Sequence, residues 1–148
     1  MKKLLSWLIL LTLITGIATA QPAKLNLEKG IALEGYDAVS YFHNEPVKGK
    51  KELALTWQGA VYYFSDKTNQ AAFRKNPEKY MPQYGGWCAY AMGNTGEKVT
   101  VDPETYKIID GRLYLYYNHL FNNTLKLWNK DEQRLKRNAD ANWQKLNQ

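Results

Sequence analysis

The sequence predicts an α+β fold, a small antiparallel sheet built from hairpins with short helices and a long C-terminal helix. Three observations predict it. Strand-like runs are joined by tight glycine turns, Gln58-Gly59 and Asp110-Gly111. No helix-length segment separates the members of either pair, which disfavours parallel βαβ units. Apolar residues at three- and four-residue spacings then run from Phe121 to Trp143.

In chain order, residues 1–20 have the three parts of an export signal. Lys2 and Lys3 are the positive start, Leu4 to Ile14 the apolar stretch, and Ala18-Thr19-Ala20 a small-x-small cleavage site. The apolar run is shorter than the roughly 20 residues a membrane span needs. The expected product is therefore a bacterial protein of the periplasm or the exterior, with no membrane association after cleavage. Cleavage after Ala20 of the 148-residue chain leaves 128, enough for one core.

Residues 21–34 read as an N-terminal arm with a short helix around Leu27 to Leu33, and 35–148 as the domain proper. Ala38 to Phe42 is rich in strand formers. Leu53 to Trp57 and Ala60 to Phe64 form the first hairpin. Ser65-Asp66 starts a helix running to about Arg74 and burying Ala72 and Phe73. Asn76 caps a second helix with Pro77 in its first turn. Val99 to Val101 is strand-like, Asp102-Pro103-Glu104 a turn, and Tyr106 to Ile109 pairs with Arg112 to Tyr116. The C-terminal helix carries Phe121, Leu125, Trp128, Leu135, Ala139 and Trp143, with one gap at Glu132.

Charge excludes little. The chain has 20 basic and 14 acidic residues, net +6, and loss of Lys2 and Lys3 lowers this to +4. The basic cluster Lys126 to Arg137 is interrupted by Asp131 and Glu132 and reads as a solvated helix face. No nucleic-acid motif is present. Neither a nucleophile elbow, a phosphate loop nor a cofactor fingerprint occurs, so a non-catalytic protein is expected. With Cys88 as the single cysteine there is no internal disulfide, and stability must come from the core.

One run of residues resembles a known family. Tyr62-Tyr63-Phe64-Ser65-Asp66-Lys67-Thr68-Asn69, then Phe73 and Asn76-Pro77-Glu78-Lys79-Tyr80, is similar to the YHS domain, a small module of metal-handling proteins. Gly35 to Phe42, Gln83 to Ala89, Asp110 to Leu115 and Asn142-Trp143 resemble its secreted branch. The similarity spans nearly the whole chain after the leader. Metal-handling members have Cys where this chain has Ser65 and Asn69, and Ser and His where it has Asp66 and Thr68. A hydroxyl and an amide are poor ligands for soft metals. The resemblance thus implies the scaffold, with Phe64 and Phe73 in the core, without metal ligands at those positions.

Candidate site residues lie elsewhere. The adjacent Gly85 and Gly86 between aromatics imply backbone passing close to another strand or to a ligand. Cys88, Trp87, Tyr84, Tyr36 and Asp37 are the candidate ligand-binding residues, with Tyr41, Tyr90 and Tyr116 as further pocket walls. Cys88, Met92 and His119, joined by Met81, form a candidate copper site, since thiolate, thioether and imidazole suit that ion. The leading expectation is an exported binding domain for a metal ion such as copper or a small ligand near Gly85 to Cys88. A thiol-reactive protein acting through Cys88 and a protein-interaction module are the alternatives.

Overall fold

The computed structural model describes residues 25–148, so the expected export signal and cleavage site lie outside the described residues. The fold is α+β. A four-stranded sheet contains β1 (Leu27–Glu28), β2 (Ile31–Ala32), β3 (Lys50–Trp57) and β4 (Ala60–Phe64), in the order β1-β2-β4-β3. The β2–β4 pairing is parallel, and the other two are antiparallel. Helices α1 (Lys67–Lys75) and α2 (Pro77–Tyr80) follow, then α3 (Ala89–Asn94). A second hairpin joins β5 (Asp102–Ile109) to β6 (Arg112–Tyr116). A miniature one joins β7 (Asn118–His119) to β8 (Asn122–Asn123), ahead of α4 (Thr124–Trp128) and α5 (Glu132–Leu146).

Both glycine turns form as the sequence requires. Gln58-Gly59 and Asp110-Gly111 all have positive φ, the conformation that matches the twist of paired strands. They set the registers Trp57↔Ala60 and Ile109↔Arg112. Asp66 caps α1 by accepting the Asn69 N–H at 2.8 Å. Phe73 is buried, but Ala72 is only half-buried. Pro77 opens α2, while the Asn76 side chain makes no capping bond.

Four expectations are corrected. Residues 27–32 form a hairpin, not a helix, because Lys29 and Gly30 both take positive φ and the Gly30 carbonyl accepts the Val61 N–H. This part of the arm thereby belongs to the sheet. Ala38 to Phe42 is not a strand. The Asp37 carboxylate accepts the Val39 N–H, and 3-10 bonding continues over Ser40–His43; a local side-chain bond outcompetes strand propensity here.

Asp102 to Glu104 lies inside β5, and Val99 to Val101 lies outside any strand. Asp102 keeps its turn bonds, to the Glu104 N–H and the Thr105 hydroxyl, as an irregularity in the ladder. The single C-terminal helix is two. Asn123 caps α4 by accepting the Leu125 and Lys126 N–H groups, so Phe121 falls before it. Non-helical backbone at Asp131 then separates α4 from α5.

Strand β6 organises two cores because its side chains alternate between faces. Leu113 and Leu115 face a first core with Tyr41, Tyr62, Phe64 and Phe73. Tyr114 and Tyr116 face a second with Tyr84, Met92, Trp128 and Leu135. Gly93 lets α3 and α5 touch: a Cβ there would stand 2.3 Å from the Leu135 carbonyl oxygen.

Candidate functional site

The Asp37 side chain is fully buried and accepts four hydrogen bonds. Oδ1 accepts the Val39 N–H at 2.9 Å. Oδ2 accepts the Ser65 N–H at 2.8 Å, the Ser65 hydroxyl at 2.7 Å and an Asn69 side-chain N–H at 2.8 Å. A carboxylate with four donors around it is a structural anchor joining the 37–42 turn, the end of β4 and α1. Ser65, just after β4, and Asn69, in the first turn of α1, both point at it.

Cys88 is equally buried and lies in a closed ring of bonds. The Tyr117 N–H donates to Sγ at 3.3 Å, and the Thr124 hydroxyl donates to the Tyr117 carbonyl at 2.9 Å. A hydroxyl has one proton, so the 3.4 Å contact between Sγ and Thr124 Oγ1 has the thiol as donor. The thiol thus gives and receives one bond, tying the start of α3 to the end of β6 and the start of α4.

The other candidate residues are spread apart. Met92 is in the second core, Met81 is half-buried against the first, and His119 is exposed on β7. Among the described residues no three His, Cys, Asp or Glu side chains converge as metal ligands do. The aromatic group is divided as well. Tyr41 belongs to the first core, Tyr84 and Tyr116 to the second, and Tyr90 packs against the second. Tyr36 is half-buried; its hydroxyl donates to Glu104 at 2.7 Å, and the Lys48 ammonium lies 4.2 Å from its ring. The Glu104 bond, with burial adding to it, pushes the Tyr36 phenol up to about 12.

Gly85 and Gly86 pass close to another part of the chain. A Cβ on Gly85 would lie 2.9 Å from the Trp143 ring and 3.2 Å from Leu25. Asn26 clasps the pair: its N–H donates to the Gly85 carbonyl at 2.9 Å and its side-chain amide to the Gly86 carbonyl at 3.0 Å. Tyr84, Gly85 and Gly86 all have positive φ and form one left-handed turn. The Tyr84 hydroxyl donates to Asp140 at 2.7 Å, and burial, with that bond adding to it, raises the phenol's pKa. Trp87 is half-buried, with its backbone N–H closing the turn onto the Tyr84 carbonyl.

A second left-handed turn lies at Leu33, Glu34 and Gly35, with φ of 56, 50 and 82 degrees. Left-handed backbone costs a residue with a Cβ about 1–2 kcal/mol, and Leu33, Glu34 and Tyr84 all bear that cost. Both turns wall the same cavity, of about 270 Å³. Leu27, Leu33, Tyr62, Met81, Val101 and Leu115 supply its apolar surface. Asn26, Glu28, Glu34 and Thr100 supply the polar groups. An apolar hollow with a few polar groups is the build of a small-molecule site.

Gly85 and Gly86, singled out in the sequence, line this cavity, but the candidate ligand-binding residues Cys88, Trp87, Tyr84, Tyr36 and Asp37 do not. The Leu33–Glu34 side carries no sequence signal of its turn. Comparison with family models, with curated proteins and with solved structures finds no match in any of the three.

Proposed function

We propose that this chain is an exported, non-catalytic binding domain of the YHS-like type. Its site is the cavity between the Leu33–Gly35 and Tyr84–Gly86 turns. One observation carries the reading: two strained left-handed turns, distant in sequence, converge on one apolar hollow. Backbone strain persists where the surroundings enforce it, and it concentrates at ligand clamps. The ligand is a small, largely apolar molecule, given the 270 Å³ volume and the lining. The export signal at 1–20 supports a periplasmic or secreted location, and among the described residues no helix is long and apolar enough to cross a membrane.

The YHS resemblance is supported by the Tyr62 to Tyr80 motif. On that reading, the hydrogen bonds of Asp37 to Ser65 and Asn69 stand where metal-handling relatives carry thiols. The donors there are already satisfied by a carboxylate, which favours a small organic ligand over copper.

The test is titration with the neutral apolar dye N-phenyl-1-naphthylamine, read by fluorescence. Saturable enhancement is expected for the native protein. Thr100→Trp, which fills the cavity from an exposed position, should abolish it. Absence of saturable binding, or binding indifferent to Thr100→Trp in a protein of unchanged melting temperature, would falsify the proposal.

A further inference from the structure

A groove of about 550 Å³ runs between the Met81–Gly85 segment and the last turns of α5. Asp140, Trp143, Gln144 and Asn147 line it at three- and four-residue steps, so one face of α5 and the residue after it form a wall. Leu25, Met81, Pro82 and Gly85 border both this groove and the 270 Å³ cavity, but the polar groups of the two hollows come from different residues.

Two side chains of the groove are held in place. Asp140 accepts the Tyr84 hydroxyl on Oδ1 at 2.7 Å and the Lys136 ammonium on Oδ2 at 2.9 Å. Each carboxylate oxygen can accept a second bond, so an oriented acceptor remains for a ligand. The Trp143 ring rests on Gly85, where a Cβ would lie 2.9 Å from it, and meets the Tyr84 ring edge-on with centroids 6.4 Å apart. Trp143 is only half-buried and lines the groove, so it offers apolar surface there.

The side-chain amides of Gln58, Gln83 and Gln144 have no hydrogen-bond partner among the described residues. An amide both donates and accepts. The lining contains no Lys, Arg or His, which makes the groove a poor host for an anion. Its charged members are Asp140, already paired with Lys136, and Glu78, which is exposed to water.

We propose that this groove binds a neutral β-linked oligosaccharide. A pyranose ring with equatorial hydroxyls has a flat C–H face and a rim of groups that donate and accept at once. Trp143 takes the face, and Asp140 and the glutamine amides take the rim. A β-linked chain keeps successive rings extended, as an open groove requires. The site stands apart from the apolar cavity and does not depend on what fills it.

The experiment is isothermal titration of protein expressed from the full sequence with cellobiose and with N,N′-diacetylchitobiose. Saturable one-to-one binding of at least one is expected, with a dissociation constant of ~1 mM or tighter. Trp143→Leu should abolish it. Because Trp143 packs on Tyr84, Gln144→Ala carries the test without touching the core: Gln144 is exposed, so the melting temperature should hold while binding weakens about 5-fold. Asp140→Asn should weaken it ~10-fold, the loss of a bond to a charged group. Thr100→Trp, which fills the cavity, should leave disaccharide binding intact. Failure of both disaccharides to bind saturably overturns the proposal, as does binding indifferent to Gln144→Ala and Asp140→Asn. Loss of binding in a folded Thr100→Trp protein puts the sugar in the cavity and overturns it. Binding of spermidine in place of the disaccharides, abolished by Glu78→Gln, assigns the groove to a cation and overturns it too.

Discussion

Asp37, next to Ala38 of the first core, and Cys88, next to Ala89 of the second, solve the same problem differently. Each is fully buried, and each ties three chain segments together. Asp37 only accepts, and it takes four donors. Cys88 gives one bond and takes one, within a ring that Thr124 completes. The carboxylate is a hub whose loss strands several partners at once. The thiol is one link in a circuit whose other members can find partial substitutes. Bonds to charged groups are also about twice as strong as neutral ones, and bonds to sulfur are weak. The first core therefore depends on a single residue far more than the second does.

The sharpest way to break this comparison is Asp37→Ala. It leaves the donors of Val39, Ser65 and Asn69 without their acceptor, and a loss of about 4 kcal/mol is expected in urea unfolding. Asp37→Asn should recover only part of this, because the charge is lost and, with the amide oxygen turned to Ser65 and Asn69, the amide N–H is set against the Val39 N–H. If Asp37→Asn matches the native stability, the hub description fails.

Alkaline pH tests both cores together. Burial pushes the Tyr62 phenol up to about 12, and the Glu104 bond does the same for Tyr36. Burial also raises Tyr41, Tyr84 and Tyr116. A raised phenol pKa favours the neutral form in the folded state. The stability it brings is complete below the ordinary value of 10.0 and is lost as pH rises through about 12. Tyrosinate absorbance from Tyr36, Tyr41, Tyr62, Tyr84 and Tyr116 should therefore appear together with unfolding, not before it. Phe variants at these positions that leave the unfolding-linked absorbance step unchanged would contradict the burial described.

The thiol circuit should give a smaller effect. Thr124→Val removes the proton to the Tyr117 carbonyl and the acceptor for Sγ, and about 1–2 kcal/mol should be lost. Cys88→Ser keeps a donor and an acceptor and should cost less than Thr124→Val. The reverse order would mean that Cys88 acts through its volume, not its bonds. Alkylation of Cys88 in the native protein should be slow and should follow the rate of unfolding in denaturant, as its complete burial requires. Rapid labelling of folded protein would restore the thiol-reactive alternative.

The smallest effect is at the surface. Glu132 accepts from both Lys107 and the Trp128 indole, and the Lys107 bond, ahead of the smaller help from Trp128, holds its carboxyl below the usual range. A lowered carboxyl pKa brings stability at neutral pH that is lost as pH falls through the folded value. Glu132→Gln should flatten the acid limb of the stability curve by less than about 1 kcal/mol, measured by melting temperature against pH.

The parts legible in the sequence were those with a purely local cause. Gln58-Gly59 and Asp110-Gly111 are two-residue turns whose backbone demands select their residues, and both hairpins formed in register. Asp66 capped α1 for the same reason. The misreadings share a different cause. Ala38 to Phe42 has strand-forming side chains, but Asp37 captures its backbone. Phe121 fits an apolar helix period, but Asn123 starts the helix after it. In each case one hydrogen-bonding side chain outweighed a pattern. The Gly85–Gly86 half of the cavity was visible because glycine pairs are uncommon. The Leu33–Glu34 half was not, because nothing about those two residues announces a left-handed turn.

By itself the sequence determined the α+β class, the two glycine hairpins and the starts of the first helices. These depend on turn geometry, capping and apolar period, which act over a few residues. Tertiary structure alone decided that Asp37 reaches Ser65 and Asn69, that Cys88 closes a ring with Tyr117 and Thr124, and that two left-handed turns meet across one cavity. Those contacts join residues far apart in the chain, and no local rule carries information over that distance; only the packing of separate elements against one another brings them together.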